Sequence, residues 1–269
     1  MKPAPFAYAP AGSVDEALAL MTGEDARPLA GGQSLVPMLN FRLARPALLV
    51  DLNPVNELAR LEVAPDGTLR IGAMTRQASL LCSPVAGERW PLLAEAVRHV
   101  GHVATRSRGT VGGSVAHADP KAELPVALVA LDARLHVRSR ERGARTVVAA
   151  DFFTGPYTTA VREDELLVEI EVPAPPDGAR MAFIEQARTH GDFAVAGVAM
   201  VLAPGRHAAI ALLGAGAVPV RAGAAEQALR DGAAAPEVAR LTASEVHDEY
   251  RRALITALSE RALDRLSAS

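Results

Sequence analysis

Cysteine is almost absent from this chain of 269 residues, which contains Cys82 alone. One thiol forms no disulfide within the chain and cannot ligate an iron–sulfur cluster, which takes several thiolates. Because Cys82 follows the run Ser79-Leu80-Leu81, we expect it to be a small buried side chain. The sequence therefore predicts a chain without disulfides or iron–sulfur clusters of its own.

Basic and aromatic residues are also few. Lys and Arg number 28 against 31 Asp and Glu, for a net charge of −3, and aromatic residues make up 4% of the chain. A nucleic-acid-binding protein usually has a basic excess and often has aromatic side chains on which bases stack, so nucleic acid is not expected as the main partner. With 49% hydrophobic and 22% charged residues, the composition is that of a folded protein.

Long apolar runs are missing as well. No stretch reaches the length that a membrane span needs. The first ten residues contain one Lys and three Pro without the apolar run of a signal peptide. We therefore expect a cytoplasmic protein.

Two glycine-rich segments are the most informative feature that the chain does have. They are Ala30-Gly31-Gly32-Gln33-Ser34-Leu35 and Arg108-Gly109-Thr110-Val111-Gly112-Gly113-Ser114. Adjacent glycines lack a Cβ and adopt positive φ readily, so their backbone N–H groups approach an anion closely. One Gly-Gly pair is usually only a turn, but two such segments in one domain are suited to the two phosphates of a dinucleotide.

The order of predicted elements indicates an α+β protein of two domains. A β-α-β-loop-α-β pattern predicts a first subdomain of about residues 1–56, and a hairpin, helices and strands predict a second of about 57–175. The segment Pro173–Gly178 has the composition of a linker. Beyond it, residues 176–269 predict a small domain with a three-stranded antiparallel sheet and helices, including an amphipathic helix over 247–266.

Three motifs in this order resemble the FAD-binding, medium subunit of molybdenum hydroxylases, a family that includes aerobic carbon monoxide dehydrogenases and xanthine dehydrogenases. They are AGGQSLVPMLNFRLARP at 30–46, RGTVGGSVAHADPKAELP at 108–125, and RTHGDFA at 188–194. The resemblance spans essentially the whole chain. It implies a two-subdomain FAD-binding domain of the PCMH/vanillyl-alcohol-oxidase type over 1–175 and a C-terminal flavoprotein domain over 176–269.

The same resemblance implies FAD as the cofactor, with both glycine segments wrapped around its pyrophosphate. It implies neither a catalytic residue nor a metal ligand in this chain. The cofactor-binding residues that it implies are Ala30, Gly31, Gly32, Gln33, Ser34, Leu35, Thr110, Val111, Gly112, Gly113, Ser114, His117, Asp119, Glu123, Leu167 and Phe193.

Several of these residues also have an ordinary structural interpretation. If Pro120 opens a helix, Asp119 is a natural N-cap, whereas the resemblance places the carboxylate of Glu123 on the ribityl hydroxyls of FAD. Leu167 is equally well a core leucine, and Phe193 a core phenylalanine at the start of a strand. His117 has no hydrolase constellation around it and is interpreted as a residue of the cofactor loop.

For function, the resemblance implies electron transfer. The FAD would take electrons from a small subunit with two [2Fe-2S] clusters and pass them to an external acceptor, while a molybdopterin-containing large subunit oxidises the substrate. Two alternatives are a self-contained flavin-dependent oxidase or reductase and a flavin-free structural or assembly subunit. Ile184 and Glu185 stand where xanthine dehydrogenases have a Lys near the flavin, so a nicotinamide site like theirs is not implied.

Overall fold

The N-terminal part of the chain forms a small parallel sheet with two helices. In the computed structural model, which describes residues 1–23, 25–205 and 207–268, the strand order is β1-β3-β2. The elements are β1 (Ala7–Pro10), α1 (Val14–Leu20), β2 (Ala26–Leu29), α2 (Leu35–Asn40) and β3 (Leu48–Asp51). The hydroxyl of Ser13 accepts the N–H of Glu16 at 3.1 Å, which begins α1 as the capping-box pattern predicts.

A second, antiparallel sheet follows after a 3-10 turn over Asn56–Leu58, and a two-stranded ribbon accompanies it. The strand order of this antiparallel sheet is β4-β5-β10-β6-β7. The strands of this part are β4 (Leu61–Val63), β5 (Leu69–Gly72), β6 (Arg134–Ser139), β7 (Gly143–Val148), the ribbon pair β8 (Phe153–Gly155) and β9 (Thr158–Thr159), and β10 (Glu165–Val172). The helices are α3 (Gln77–Leu81), α4 (Pro84–Arg89), α5 (Pro91–His99), α6 (Val103–Arg108), α7 (Val111–His117), α8 (Glu123–Ala130) and α9 (Ala149–Phe152).

Strand β10 is buried on both faces. Leu166 belongs to the core of the N-terminal part, while its neighbour Leu167 belongs to the large core under α5 and α8. The pairing with β6 shifts by one residue between Leu167 and Glu169, which is a β-bulge. Buried and exposed side chains therefore do not alternate along β10 as they would in a half-exposed strand, because this strand separates two cores.

The C-terminal part contains an antiparallel sheet covered by helices. The three long strands predicted from the sequence are present and are joined by a two-residue fourth strand, in the order β11-β12-β13-β14. The elements are β11 (Arg180–Ala187), β12 (Ala194–Ala203), β13 (His207–Leu213), β14 (Val220–Arg221), α10 (Gly223–Asp231), α11 (Ala235–Thr242) and α12 (Glu249–Ala268). Along α12, Leu258 and Leu266 are buried, whereas Tyr250 is exposed.

Both faces of this third sheet are buried. Val198 and Met200 pack with the C-terminal helices, whereas their neighbours Ala199 and Val201 join the large core that also contains residues of α5 and α8. Strand side chains alternate between faces, so one sheet closes two cores. The large core is thus continuous across the predicted linker.

Two further side chains, Cys82 and Trp90, bear on the predictions of a buried thiol and of a linker. Cys82 is exposed at the C-terminal end of α3, so the expectation of a buried thiol is wrong. Trp90, the one tryptophan of the sequence, is fully buried and donates its indole N–H to the carbonyl oxygen of Pro173 at 2.8 Å. The start of the linker segment is therefore attached to the core.

Candidate functional site

The two glycine-rich segments lie directly against each other. We call residues 30–35 the first glycine loop and residues 108–114 the second glycine loop. A Cβ built on Gly31 would lie 2.9 Å from both the carbonyl carbon of Arg108 and the Cα of Gly109. A Cβ on Gly113 would lie 3.3 Å from the Cβ of Ala30. The fold thus brings together two segments that are far apart in sequence, and only glycine permits their approach.

The first glycine loop has unused hydrogen-bond donors. Within the part of the chain that the structure describes, nothing accepts a hydrogen bond from the backbone N–H groups of Gly31, Gly32, Gln33 or Ser34. Gly32 has φ +72°, a conformation that favours glycine. Gly31 is a buried residue, and buried N–H groups are almost always paired in native proteins. This loop therefore has the free donors that an anionic ligand requires.

The second glycine loop is different, because its amides are already bonded within the protein. The N–H of Val111 donates to Thr75 O, and that of Gly112 to Ala73 O, both at 2.9 Å. The N–H of Gly113 donates to the hydroxyl of Thr110 at 3.0 Å. The expectation that Gly112 and Gly113 adopt positive φ as an open nest is wrong, since both lie in the first turn of α7.

Gly112 is explained by packing instead. A Cβ at this position would lie 2.6 Å from both the Cα and the carbonyl oxygen of Ala73. The start of α7 therefore sits against the chain that follows β5. Hydroxyl groups remain at this loop, since Thr110 is a buried N-cap residue and Ser114 is partly exposed.

A cavity of about 370 Å³ opens beside the first glycine loop. Its lining residues are Leu29, Ala30, Gly31, Gly32, Gln33, Val36, Pro37, Asn53 and Arg108. Most of the lining comes from the end of β2 and the start of α2. Asn53 and Arg108 were not among the residues predicted from the sequence.

Asn53 and Arg76 connect the two glycine loops. The side-chain amide of Asn53 donates to Ala30 O at 3.1 Å, and its oxygen accepts from Arg76 at 2.7 Å. A second nitrogen of Arg76 donates to Arg108 O at 2.5 Å. One signal for Asn53 was available, because it follows the carboxyl end of a parallel strand, where sites of α/β sheets form.

Asp51 fixes Asn53 from the other side. Its carboxylate accepts the N–H of Asn53 at 3.0 Å and also accepts from the Asn53 side chain and from the hydroxyl of Tyr8. Burial alone would raise the pKa of Asp51, but these hydrogen bonds outweigh it and hold the pKa below its usual value. The hydrogen bond to Asp51 raises the pKa of Tyr8.

His117 and Asp119 lie together with a residue that the sequence did not indicate, Tyr157. The rings of His117 and Tyr157 are 5.2 Å apart, and the Tyr157 hydroxyl is 3.4 Å from Asp119. Burial lowers the pKa of His117. Asp119 is not the N-cap of α8, because Ala122 holds that position and Asp119 instead accepts the N–H of Lys121 at 2.9 Å.

Glu123 is the first residue of α8, and it is 7% exposed. Burial raises its pKa to about 8, assisted by the charge of Glu185 and opposed by that of His99. Glu185 is itself buried, with Oε1 3.3 Å from Nδ1 of His99 and with Oε2 unpartnered among the described residues. The hydrogen bond from His99 to Glu185 raises the pKa of His99 against the opposing effect of burial.

The last two predicted residues have opposite environments. Leu167 is 4% exposed within the large core. Phe193 is 60% exposed in the turn between β11 and β12, so the interpretation as a core phenylalanine is wrong. In the same turn, a Cβ on Gly191 would lie 2.8 Å from Nδ1 of His102, which shows that this turn packs against the N-terminal end of α6.

Two features are absent from residues 1–23, 25–205 and 207–268. No group of three or more His, Cys, Asp or Glu side chains there is arranged to hold a metal ion. None of the helices in this part of the chain combines the length and the apolar character that a membrane crossing requires.

Comparison with protein families gives one match that covers most of the chain. The family described as FAD binding domain in molybdopterin dehydrogenase matches residues 4–175. That range contains both glycine loops and the segment around Tyr157.

Individual relatives extend the similarity to the C-terminal part. The alpha subunit of the 6-hydroxypseudooxynicotine dehydrogenase complex of Paenarthrobacter nicotinovorans is 43% identical over 238 residues, covering 86% of this chain and 80% of that protein. The beta subunit of caffeine dehydrogenase from Pseudomonas sp. (strain CBB1) is 38% identical over 283 residues, covering 98% and 96%. A solved carbon monoxide dehydrogenase from Hydrogenophaga pseudoflava, which lacks the Mo-pyranopterin moiety of its molybdenum cofactor, matches with a TM-score of 0.93 at 38% identity, covering 100% of this chain and 99% of that one.

Proposed function

Since the chain belongs to the family of FAD-binding domains of molybdopterin dehydrogenases, we propose that it is the electron-transfer subunit of a molybdenum hydroxylase. The family resemblance deduced from the three sequence motifs is confirmed, and so is the α+β fold. The protein is an oxidoreductase subunit, and its cofactor is FAD. When bound, FAD supplies reversible one- and two-electron redox chemistry, and the chain positions it.

The first glycine loop is the observation that carries this proposal. It has four unbonded N–H groups, and three of the residues that carry them, Gly31, Gly32 and Gln33, line a cavity. These are the donors and the space that a pyrophosphate needs, so the residues present fit the cofactor. In this proposal Ala30, Gly31, Gly32, Gln33, Ser34 and Leu35 hold the phosphates of FAD.

The second glycine loop contributes mainly shape and hydroxyl groups. Its amides at Val111, Gly112 and Gly113 are occupied, so Thr110 and Ser114 offer their side-chain hydroxyls to the cofactor. Thr110 accepts from Gly113 and keeps its own proton to donate. This loop thus closes the phosphate site from the opposite side while its backbone remains tied to the fold.

The other predicted cofactor residues are proposed to contact the rest of FAD. His117 and Asp119, with Tyr157 beside them, offer a polar edge and an exposed ring. Glu123, Leu167 and Phe193 stay in the proposed set by family resemblance. Because Glu123 and Leu167 are buried, they offer little surface, and Phe193 offers the most.

For partners, we propose a molybdopterin-containing large subunit and a small subunit with two [2Fe-2S] clusters. Two observations support this. The named relatives are designated subunits of dehydrogenase complexes, and the chain itself has one cysteine and no described metal-ligand cluster. In this proposal, electrons reach the FAD of this subunit from the iron–sulfur clusters of the small subunit. We further propose a division into a FAD-binding domain over 1–175, with subdomains of about 1–56 and 57–175, and a C-terminal domain over 176–269.

The experiment uses the complex purified with its partners, prepared both depleted of FAD and reloaded with it. The iron–sulfur clusters are reduced with limiting dithionite, and their reoxidation by an external acceptor is followed by absorbance. We expect reoxidation to require FAD and to return on reloading. Equal rates with and without FAD would refute the electron-transfer role. Reduction of FAD by a small substrate in this chain alone would favour a self-contained flavoenzyme, and a complex from which no flavin can be extracted would favour a structural subunit.

A further inference from the structure

We propose that the guanidinium group of Arg108 binds the phosphate oxygens of the dinucleotide in the cavity beside the first glycine loop. This inference rests on the proposed function, because it names the charged residue of the same site. Neither the glycine motifs nor the family match assigns a role to this side chain. It would make the site selective for phosphorylated flavins over neutral ones.

The backbone of Arg108 is fixed, while its side chain is not engaged. Its carbonyl oxygen accepts from Arg76 at 2.5 Å, and its backbone packs against Gly31. Its side chain is exposed, and none of the described residues forms a hydrogen bond or ion pair with it. The residue nevertheless lines the cavity together with Gly31, Gly32 and Gln33. A cation is therefore held at the cavity with its donors unused.

The charges around Arg108 leave a local positive excess. Burial lowers the pKa of Arg76, and the nearby charge of Arg108 lowers it further. Asp51 is the carboxylate whose pKa Arg108 helps to lower, and its oxygens already accept from Tyr8 and Asn53. Two guanidinium groups thus share the influence of one carboxylate whose hydrogen bonds go elsewhere. A ligand with negative charge would relieve their repulsion.

The donors at the cavity match a phosphate. A guanidinium group offers parallel N–H bonds that fit two phosphate oxygens, and charge-assisted bonds of this kind are stronger than neutral ones. Gly31, Gly32 and Gln33 line the same cavity, and their backbone N–H groups have no acceptor among the described residues. Together they supply both the charge and the neutral donors that a pyrophosphate accepts. A ligand without phosphate, such as riboflavin, would use neither.

The test measures binding of FAD and of riboflavin to the apo form of the full chain by flavin fluorescence, from about 0.05 M to about 0.5 M salt. We compare the parent with Arg108→Met, Arg108→Lys and the control Arg240→Met, which alters an exposed arginine of α11. Arg108→Met should weaken FAD binding by roughly 10- to 100-fold and flatten its salt dependence. Arg108→Lys should restore part of the affinity, and Arg240→Met should have no effect. Riboflavin binding should be equal in all four proteins.

The outcomes separate this inference from the proposed function. If the parent binds no FAD, the proposed function fails. If the parent binds FAD but Arg108→Met binds it equally well, or the affinity of the parent does not change with salt, the inference about Arg108 is overturned while FAD binding stands. Circular dichroism and thermal unfolding of each apo variant show whether it is folded. Should Arg108→Met not fold, the salt dependence of the parent and the Arg108→Lys variant decide the question.

Discussion

Gly31 and Arg108 are packed backbone against backbone, and this contact joins the two glycine loops. A Cβ on Gly31 would meet the peptide group of Arg108 at 2.9 Å from its carbonyl carbon. The neighbour is main chain rather than a movable side chain, so it cannot rotate away. The contact also places Arg108 at the cavity bordered by the first glycine loop.

A single methyl group at Gly31 should therefore separate the loops. We expect Gly31→Ala to lower the FAD content of the purified chain by at least about tenfold, because main chain must move at the phosphate site, and to cost about 1–3 kcal/mol of stability. The measurements are FAD per chain and urea unfolding of the apo form. Gly223→Ala is the matched control, since a Cβ there meets nothing within 4 Å. Normal FAD content in Gly31→Ala would contradict the assignment of this loop.

Gly112 and Gly113 should respond differently from each other. Gly112→Ala drives a Cβ into the backbone at Ala73, so we expect the protein to lose about 1–3 kcal/mol of stability both with and without bound FAD. At Gly113 the nearest atom is the side-chain Oγ1 of Thr110, 2.6 Å from the added Cβ, so Gly113→Ala should mainly displace this cap. Urea midpoints of both apo variants test this. Equal stability of Gly112→Ala and parent would mean that α7 moves freely away from Ala73.

The buried carboxyl of Glu123 should make stability depend on pH. Burial raises its pKa from 4.5 to about 8, so the native state binds this proton more tightly than the unfolded chain does. Stability should therefore fall as pH rises between these values, with a slope of up to about 1.4 kcal/mol per pH unit from this group. Glu123→Gln removes the titrating group, and urea unfolding of the apo form between about pH 5 and pH 8 should show a flatter profile.

Glu165 provides a control, because its contribution to stability has the opposite dependence on pH. Hydrogen bonds from Arg145 lower the pKa of this buried carboxylate, so its contribution is present above the unfolded pKa and is lost as pH falls through the lowered value. Glu165→Gln should destabilise the protein at neutral pH, where Glu123→Gln stabilises it. Parallel profiles for Glu123→Gln and the parent would show that Glu123 is ionised in the fold.

The flavin should be bound tightly but without a covalent bond. Attachment uses His or Cys side chains, and His117, whose pKa is lowered by burial, is the one such residue in the two glycine-rich motifs at 30–46 and 108–125. Precipitating the holoprotein with acid should release yellow FAD into the supernatant. Colour that remains with the precipitated chain would contradict this prediction and would point to His117 as the first site to examine by mass spectrometry.

Much of the fold could be predicted from the sequence because local patterns specify it. The Ser13 cap, the hairpin of β4 and β5 and the three long C-terminal strands all follow from turn residues and periodicity within short windows. The bulge in β10 and the exposure of Cys82 could not be predicted in this way. Both depend on which elements lie on the far side of a strand or helix, which no local window contains.

The candidate site, too, could be predicted from the sequence only in part. Two sequence motifs identify the glycine loops. The motifs do not show that the amides of the second loop, unlike those of the first, are already bonded within the protein. Amides of the second loop bond to Thr75 and Ala73, residues more than thirty positions earlier in the chain. Arg108 lies within the second motif, but the motif does not indicate its role, because its proximity to the cavity arises only when Gly31 packs against it.

The third sheet is buried on both faces, and this affects how the protein unfolds and evolves. Ala199 and Val201 of β12 share a core with α5 and α8, although the family match ends at residue 175. A fragment that ends there would expose that core, so the two parts should unfold as one cooperative unit. Exchanging the C-terminal part between relatives would join halves of a core that never coevolved. Substitutions in β12 should accordingly be accepted only together with compensating changes in α5 or α8.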